Sequence, residues 1–245
     1  MTGAAASTAA PAPARTLLSV SGLDAWYGDA HILHGVSFGV PAGEVVTLLG
    51  RNGAGKTTAL RAIMGLVRAR GRIEFDGQSI LGLAPFRIAG LGIAYCPEER
   101  GVFTSLTVGE NLDLPPVVRA GGLSRRRVLE LFPNLAARLD HRGNELSGGE
   151  QQMLAMARIL GTGAKFMLLD EPTEGLAPVV VQGIGATLRE LKAEGFTILL
   201  VEQNLRFAAT VSDRYYVLDH GRVAEMVPAA ELAARRDRVQ SYLAV

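Results

Sequence analysis

The segment GRNGAGKTT, residues 50–58, constrains the fold of this chain more than any other stretch. It fits the pattern G-x-x-x-x-G-K-[ST], follows the apolar run Val45–Leu49 and opens a helical pattern that runs from about residue 55 to residue 64. A strand, a glycine-rich loop and a helix in this order bind phosphate, because the glycines let backbone N–H groups converge and the helix N-terminus adds a positive dipole end. We therefore expect a site for a nucleoside triphosphate here.

Every residue of this loop is a candidate for contact with the nucleotide. They are Gly50, Arg51, Asn52, Gly53, Ala54, Gly55, Lys56, Thr57 and Thr58. Lys56 is expected to reach the β- and γ-phosphates, and the hydroxyl of Thr57 is expected to bind Mg²⁺. The alternative is a chance glycine turn, and the combination of motif and context argues against it.

Short apolar runs alternate with amphipathic helical patterns along the chain. Strands are predicted at 73–75, 93–95, 166–169, 197–201 and 215–218, and a helix is predicted at 179–194. This alternation favours an α/β fold with a largely parallel sheet. Between about residues 98 and 160 the patterns are helical, at 108–114, 125–132 and 149–160, and no convincing strand is found. We expect this region to be a helical subdomain inserted into the α/β core.

The composition excludes several classes of protein. The net charge of +1 does not point to nucleic acid, and no apolar run is long enough to cross a bilayer. The single cysteine, Cys96, excludes a disulfide within the chain and is interpreted as a small buried hydrophobic residue. Residues 1–16 are rich in alanine and proline and are predicted to be a disordered tail, which leaves one domain at 17–245.

An acid pair, Asp170 and Glu171, follows the apolar run FMLL at 166–169. In a parallel sheet this run would place Asp170 beside the phosphate loop, where its carboxylate suits the coordination of Mg²⁺. Glu171 is a candidate general base that polarises the attacking water. The weaker alternative is that Glu171 only caps the helix that follows Pro172.

A second glycine-containing segment, ELSGGEQQM at 145–153, precedes a predicted helix. The phosphate loop, LSGGEQQ and LLDEP, in that order, resemble the ATP-binding subunits of ABC transporters from about residue 17 to the end of the chain. The resemblance implies the architecture of an ABC ATPase: a P-loop NTPase (RecA-like) core with a mostly parallel sheet, an inserted helical subdomain and an antiparallel β portion. It also implies that two ATP-binding subunits meet head to tail.

The resemblance assigns roles to further residues. Ser147, Gly148, Gly149 and Glu150, here called the signature segment, would contact the ATP held by the partner subunit, and a side chain at Gly149 would fill the space of the phosphate. Tyr27 matches an aromatic residue that stacks on adenine, with strand packing as the alternative. Glu98 replaces a glutamine that links Mg²⁺ and the attacking water to the membrane contact. Gln203 replaces a histidine that contacts the γ-phosphate, so both are expected at the catalytic centre.

A narrower resemblance is carried by GIAYCPEERGVFTSLTVGENL, LSGGEQQMLAMAR and ILLVEQN. These segments look like the second ATP-binding subunit of branched-chain amino acid importers. That subunit implies ATP and Mg²⁺ as cofactors, transmembrane permease subunits as direct partners, a binding protein as an indirect one, and a peripheral position on the cytoplasmic face of the membrane.

Other readings stay open at this point. A urea or short-chain amide importer has a very similar subunit. A soluble ABC ATPase acting on DNA or ribosomes is disfavoured by the single domain, the lack of sustained heptads and the single cysteine. A nucleotide-sensing regulator without turnover is the third class. The partner subunit is either a second, different ATP-binding subunit or a copy of this chain.

Overall fold

The computed structural model describes residues 15–244, so the predicted tail lies outside the described residues except for Arg15 and Thr16. Thr16 is the first residue of a strand and does not belong to a tail. The strands are β1 (Thr16–Tyr27), β2 (Ala30–Pro41), β3 (Val45–Leu49), β4 (Arg68–Phe75), β5 (Gln78–Ser79), β6 (Ile93–Cys96), β7 (Phe166–Asp170), β8 (Thr197–Glu202), β9 (Arg214–Asp219) and β10 (Arg222–Pro228). The helices are α1 (Lys56–Ile63), α2 (Pro85–Gly90), α3 (Val108–Asp113), α4 (Arg125–Leu131), α5 (Pro133–Ala136), α6 (Gly148–Leu160), α7 (Pro178–Ala193), α8 (Leu205–Ala208) and α9 (Leu232–Leu243).

The central element is a six-stranded sheet in the order β10-β9-β3-β8-β7-β6. Strands β9, β3, β8, β7 and β6 run parallel, and β10 closes one edge antiparallel to β9. Every residue of β3, β7 and β8 is buried, as expected for strands covered on both faces. The predicted α/β class with a mostly parallel sheet is confirmed.

A second, antiparallel sheet has the order β2-β1-β4-β5. Its strands β1 and β2, together with β10 and the C-terminal helix α9, are elements that the residue patterns did not predict one by one. Only the last three residues of β4 were predicted. The inner face of β1 and β2 packs through Leu23, Leu33 and Val36 on the same apolar core that holds α1.

The region between β6 and β7 contains the helices α3 to α6. Helices α3, α4 and α6 agree with the three helical patterns in the sequence, whereas the short helix α5 was not predicted. Helix α6 begins at Gly148, one residue before the predicted start. Its buried face, with Leu154 and Met156, joins the apolar core beneath β7 and β8. Within residues 15–244, none of the helices combines the length and the hydropathy that a membrane span requires.

Three parallel strands bring their carboxyl ends to one edge of the sheet. Strand β3 leads into the phosphate loop, β7 ends at Asp170, and β8 ends at Glu202. The register pairs Leu49 with Glu202 and Asp170 with Val201, so the three ends lie side by side. In open α/β sheets this edge is where ligands bind.

Candidate active site

The phosphate loop is shaped by glycines that no other residue can replace without strain. Gly55 has a φ of 102°, and a Cβ built on it would lie 2.5 Å from Cδ2 of Leu33. A Cβ on Gly50 would lie 2.6 Å from the carbonyl oxygen of Leu218. The backbone therefore passes closer to its neighbours than a side chain permits. No side chain caps the N-terminus of α1 at Gly55, and the N–H groups of a helix N-terminus are suited to an anionic ligand.

Lys56 lies buried at the first turn of α1, with a relative exposure of 4%. Its Nζ donates to the carbonyl oxygens of Gly50 at 2.9 Å and Arg51 at 3.0 Å, and it forms an ion pair with Oε1 of Glu171 at 3.0 Å. A buried ammonium requires an anion beside it. In this structure the general-base candidate Glu171 provides that anion, in the place where a phosphate group would do so.

Two of the three residues predicted to bind Mg²⁺, Thr57 and Asp170, lie in direct contact. Oγ1 of Thr57 donates to Oδ1 of Asp170 at 2.9 Å, and the hydroxyl of Tyr95 donates to Oδ2 of Asp170 at 3.0 Å. Burial raises the pKa of Asp170 to about 6, and the negative charges of Glu171 and Glu98 act in the same direction. A hydroxyl and carboxylates surrounded by negative charge are a donor set that suits Mg²⁺.

Glu171 is held by an unusual backbone conformation. Its φ of 44° lies in the left-handed region, which a residue with a side chain adopts only at a cost. Its N–H donates to the carbonyl of Val201 in β8 at 3.0 Å. The reading of Glu171 as a helix cap is wrong, because α7 begins at Pro178 with Ala177 at its N-terminal boundary.

The cleft in front of the phosphate loop has a volume of about 360 Å³. Its walls are Ile32, Asn52, Gly53, Gly55, Lys56, Thr57, Thr58, Glu98, Glu171 and Glu174. The structure thus brings the loop together with two of the three residues expected at the catalytic centre. Gln203 does not line this cleft. It is exposed in a neighbouring cleft of about 790 Å³ that shares Glu171 and Glu174.

Glu202 is a candidate site residue that the sequence interpretation missed. Its side chain is buried, and its carboxylate accepts hydrogen bonds from Oγ1 of Thr173 at 2.7 Å and from the N–H of Asn204 at 3.2 Å. Burial raises the pKa of Glu202 to about 7. The signal was present in the sequence, since VEQN, like LLDE, sets an acid at the end of a buried strand.

Tyr27 is the last residue of β1, with 40% of its surface exposed. Its hydroxyl accepts a hydrogen bond from Nη1 of Arg61 at 3.2 Å. Arg61 lies on α1, in the turn that follows the phosphate loop. The exposed ring is therefore tied to the helix that starts at the candidate nucleotide site.

The signature segment forms the N-terminus of α6. The Oγ of Ser147 accepts from the N–H of Glu150 at 3.3 Å, and Oε2 of Glu150 accepts from the N–H of Ser147 at 2.9 Å, which makes a capping box. None of the residues described around the phosphate-loop cleft belongs to this segment.

Gly149 also serves the packing of its own chain. A Cβ on Gly149 would lie 2.9 Å from both methyl groups of Val180 in α7, so this glycine permits the close packing of α6 on α7. A side chain at position 149 would therefore meet the fold of its own chain first. A Cβ on Gly148 would instead lie 3.0 Å from Nη1 of Arg100, at the end of a flexible side chain.

The fold and this arrangement of groups define a P-loop nucleoside triphosphatase. The protein family described as "ABC transporter" matches residues 33–174. The chain belongs to this family, and it is an ATP-hydrolysing member of it.

Three relatives with transport names cover most of the chain. The high-affinity branched-chain amino acid transport ATP-binding protein BraG of Pseudomonas aeruginosa is 41% identical, over 93% of this chain and 99% of the relative. The probable branched-chain amino acid transport ATP-binding protein LivF of Archaeoglobus fulgidus is 39% identical, over 86% of this chain and 91% of the relative. The lipopolysaccharide export system ATP-binding protein LptB of Haemophilus influenzae is 36% identical, over 85% of this chain and 89% of the relative.

Solved structures show the same architecture. A nucleotide-free ATP-binding cassette from an ABC transporter has a TM-score of 0.81 and 25% identity, covering 94% of this chain and 100% of its own. The ADP conformation of MJ1267, another ATP-binding cassette, has a TM-score of 0.79 and 26% identity, covering 95% of this chain and 100% of its own. A dimeric structure of the cassette MJ0796 has a TM-score of 0.76 and 26% identity, covering 86% of this chain and 98% of its own.

Proposed function

We propose that this chain is the ATP-hydrolysing subunit of an importer for branched-chain amino acids, located peripherally on the cytoplasmic face of the membrane and docked on transmembrane permease subunits. The observation that carries the proposal is the 41% identity to BraG, which extends over 93% of this chain and 99% of the relative. In the proposed organisation residues 17–245 form the ATP-binding domain, and about 98–160 form its helical subdomain. A binding protein delivers the solute to the permease and does not contact this chain.

The nucleotide site would work by exchanging the partner of Lys56. Without nucleotide, the buried ammonium of Lys56 holds the carboxylate of Glu171 at 3.0 Å. Phosphate oxygens that approach the loop compete for the same ammonium, and they release Glu171 to accept a proton from the attacking water. Mg²⁺, when bound, would neutralise charge on the β- and γ-phosphates. Thr57, Asp170 and Glu98 are the residues proposed to hold it.

The adenine and the far side of the triphosphate would be held by other residues. Tyr27 offers an exposed ring at the end of β1 for stacking on adenine. Gln203 lines the neighbouring cleft that shares Glu171 and Glu174 with the phosphate-loop cleft, and its side chain is proposed to contact the γ-phosphate from that side.

The signature segment is proposed to serve the ATP of a second ATP-binding subunit that meets this one head to tail. Ser147 is exposed at the N-terminus of a helix of 13 residues, where backbone N–H groups and the helix dipole favour an anion. The phosphate-loop cleft of the same chain contains none of these residues among those described around it. A partner's triphosphate is the anion proposed to approach this helix N-terminus.

An uptake assay tests the proposed solute. The chain is reconstituted with its permease and binding protein in proteoliposomes loaded with ATP, and uptake of radiolabelled leucine, urea and acetamide is compared. Leucine uptake that depends on ATP and disappears in Lys56→Ala is expected. Uptake of urea or acetamide without leucine would replace this proposal with the alternative importer.

A pair of variants at one position tests the action across subunits. Ser147→Asp and Ser147→Asn both keep a residue that caps α6, but only aspartate sets a negative charge against the partner's phosphate. Each Ser147 variant is combined with Lys56→Ala in the same chain and paired with a wild-type partner subunit, so that the wild-type phosphate loop of the partner faces position 147. Hydrolysis at the partner's loop should be lost with Ser147→Asp and mostly retained with Ser147→Asn. Loss of nucleotide binding by the isolated Ser147→Asp chain would show that the segment serves its own site.

A further inference from the structure

Three metal-ligating side chains converge on the outer face of the antiparallel sheet. Asp24 lies in β1, and His31 and His34 lie in β2. One donor atom from each lies within 4.8 Å of the others. A ring nitrogen of His31, Nε2, is 2.9 Å from Oδ1 of Asp24, and the two imidazole rings meet edge to face with centroids 4.1 Å apart. None of the three lines the phosphate-loop cleft.

This convergence depends on irregular pairing between the two strands. Residues three apart on a regular strand point to opposite faces, so His31 and His34 would normally be separated. Between the pairs Ala25–Leu33 and Trp26–His31, β2 contains one residue more than β1, which brings both histidines to the same face. A second extra residue in β2 lies between the pairs Leu23–Val36 and Ala25–Leu33.

The second bulge also fixes the carboxylate. Gly35 has a φ of 70°, which suits glycine, and its N–H donates to Oδ1 of Asp24 at 3.2 Å. Asp24 is thereby held on the face that the two histidines share. Bulges disrupt the hydrogen-bonded ladder and are found where a side chain has to be re-aimed.

The donor set selects the type of metal. Two imidazoles and one carboxylate suit Zn²⁺ and neighbouring transition metals, whereas Mg²⁺ prefers oxygen donors alone. Metal–ligand bonds of about 2.0–2.2 Å in a tetrahedron require donors roughly 3.3 Å apart. On metal binding, the distance of 2.9 Å between Asp24 and His31 would increase slightly, and any pair of donors near the limit of 4.8 Å would come closer by rotation of the side chains, none of which is buried.

One feature of the surroundings opposes a cation. The ring of Trp26 stacks on His31 with centroids 4.5 Å apart, and the guanidinium groups of Arg68 and Arg70 lie 5.0 Å and 5.7 Å from the Trp26 ring. Their charge lowers the affinity for a metal at this place, while the stacking restricts the rotation of the His31 ring. Replacement of either arginine by glutamine should therefore strengthen binding.

We propose that Asp24, His31 and His34 form a binding site for a zinc ion that clamps β1 to β2, with a fourth position left to water. The clamp would act next to the nucleotide site. Ile32, which lies between the two histidines, is a wall of the phosphate-loop cleft, and Tyr27 ends the strand that carries Asp24. A bound metal would restrict the motion of this hairpin against the proposed adenine contact.

Calorimetric titration of the tag-free, nucleotide-free protein with ZnCl₂ tests the proposal. Excess Mg²⁺ is present so that the carboxylates of the nucleotide site are not titrated by zinc. One zinc ion per chain is expected. Asp24→Asn and His34→Gln should each weaken binding at least about 10–100-fold, the range seen even for indirect perturbation of metal sites.

The matched control is His220→Gln, because His220 is exposed, lies beside Asp219 at 3.7 Å and is outside the cluster. It should bind zinc like the wild type. Thermal denaturation without zinc checks the fold, and Asp24→Asn keeps an acceptor for Gly35 and His31. The proposal is overturned if the wild type binds no zinc, or if Asp24→Asn and His34→Gln bind it with the affinity of the His220→Gln protein.

Discussion

The ion pair between Lys56 and Glu171 predicts a large coupling energy in the nucleotide-free protein. The perturbation is a double-mutant cycle that combines Lys56→Met with Glu171→Gln. Lys56→Met alone leaves the buried carboxylate of Glu171 without its counter-ion. Other acids lie close to it, since the charge of Glu171 contributes to the raised pKa values of Asp170 and Glu202. The second change removes that unpaired charge, so the double variant should recover part of the stability lost by the first.

The magnitude follows from distance and burial. At 3.0 Å and an effective dielectric constant of about 20, two unit charges attract by about 5–6 kcal/mol. The side chains are only 3% and 7% exposed, so water screens them little. Desolvation offsets part of this attraction, and removal of one partner of a buried pair typically costs about 3–5 kcal/mol. We expect Lys56→Met to lose about 3–4 kcal/mol and the coupling energy to be about 2–4 kcal/mol.

Urea denaturation of the four proteins without nucleotide measures the coupling. The matched control is the cycle Arg126→Met with Glu130→Gln, because that pair also has a distance of 3.0 Å but is 90% and 46% exposed. Exposed pairs of this spacing contribute little to stability, because water screens both charges. A coupling between Lys56 and Glu171 no larger than that of the control pair would refute the argument that Glu171 holds the place of a phosphate.

Three further predictions use single substitutions. Glu171→Gln should bind ATP and lose about 10²–10⁴ in turnover at this site, and wild-type turnover with the partner's site disabled would contradict a general base. Burial holds the pKa of Glu202 at about 7, so the native state keeps a proton that the unfolded chain releases near pH 4.5, and stability falls as the pH rises through this window. Glu202→Gln should therefore gain stability relative to the wild type between pH 5 and pH 8, by up to about 3 kcal/mol, and a difference independent of pH in denaturation experiments would exclude this cause. Gly149→Ala should lose about 1–2 kcal/mol because its Cβ meets the methyl groups of Val180 at 2.9 Å, whereas Gly148→Ala should be nearly neutral; equal melting temperatures would show that α6 and α7 adjust without cost.

Local motifs predicted the centre of the site well. The strand at residues 45–49 and the phosphate loop after it lie at the predicted positions. The prediction succeeded because a buried strand, a glycine-rich loop and a helix follow one another within about 20 residues and form a recognisable sequence motif. The contact of Thr57 with Asp170, 113 positions apart, was also anticipated, since parallel strands bring their carboxyl ends to one edge.

The antiparallel sheet was harder to predict. Strands β1 and β2 alternate between buried and exposed residues, but extra residues shift the alternation at several points. Leu33 and Val36 are both buried although they are three positions apart, which no pattern of period two predicts. The same irregularity hid the convergence of Asp24, His31 and His34.

Close packing between helices left no signal of its own. The sequence shows two adjacent glycines, and both were interpreted as a cradle for phosphate. Gly149 is required by the approach of Val180, a residue on a helix that follows an intervening strand. Only the tertiary structure shows that the two glycines differ, because a Cβ on Gly148 would meet the flexible side chain of an arginine and not a packed helix.

The acids at the ends of β7 and β8 show that the sequence predicts the position of a buried carboxylate but not its chemical role. Asp170 and Glu202 both end an apolar strand, and this pattern correctly predicts a buried carboxylate at one edge of the sheet. The partners differ: Asp170 accepts from Thr57 and Tyr95, both close to the phosphate loop, whereas Glu202 accepts from Thr173 and from the backbone of the segment that carries Gln203. The pKa of each acid is raised by burial, but what each can do depends on those partners. A carboxylate beside the Thr57 hydroxyl is placed to bind a cation, and one that joins the segments after β7 and β8 is placed to hold them together. The strand pattern gives the position of an acid, and its neighbours from distant parts of the chain decide its role.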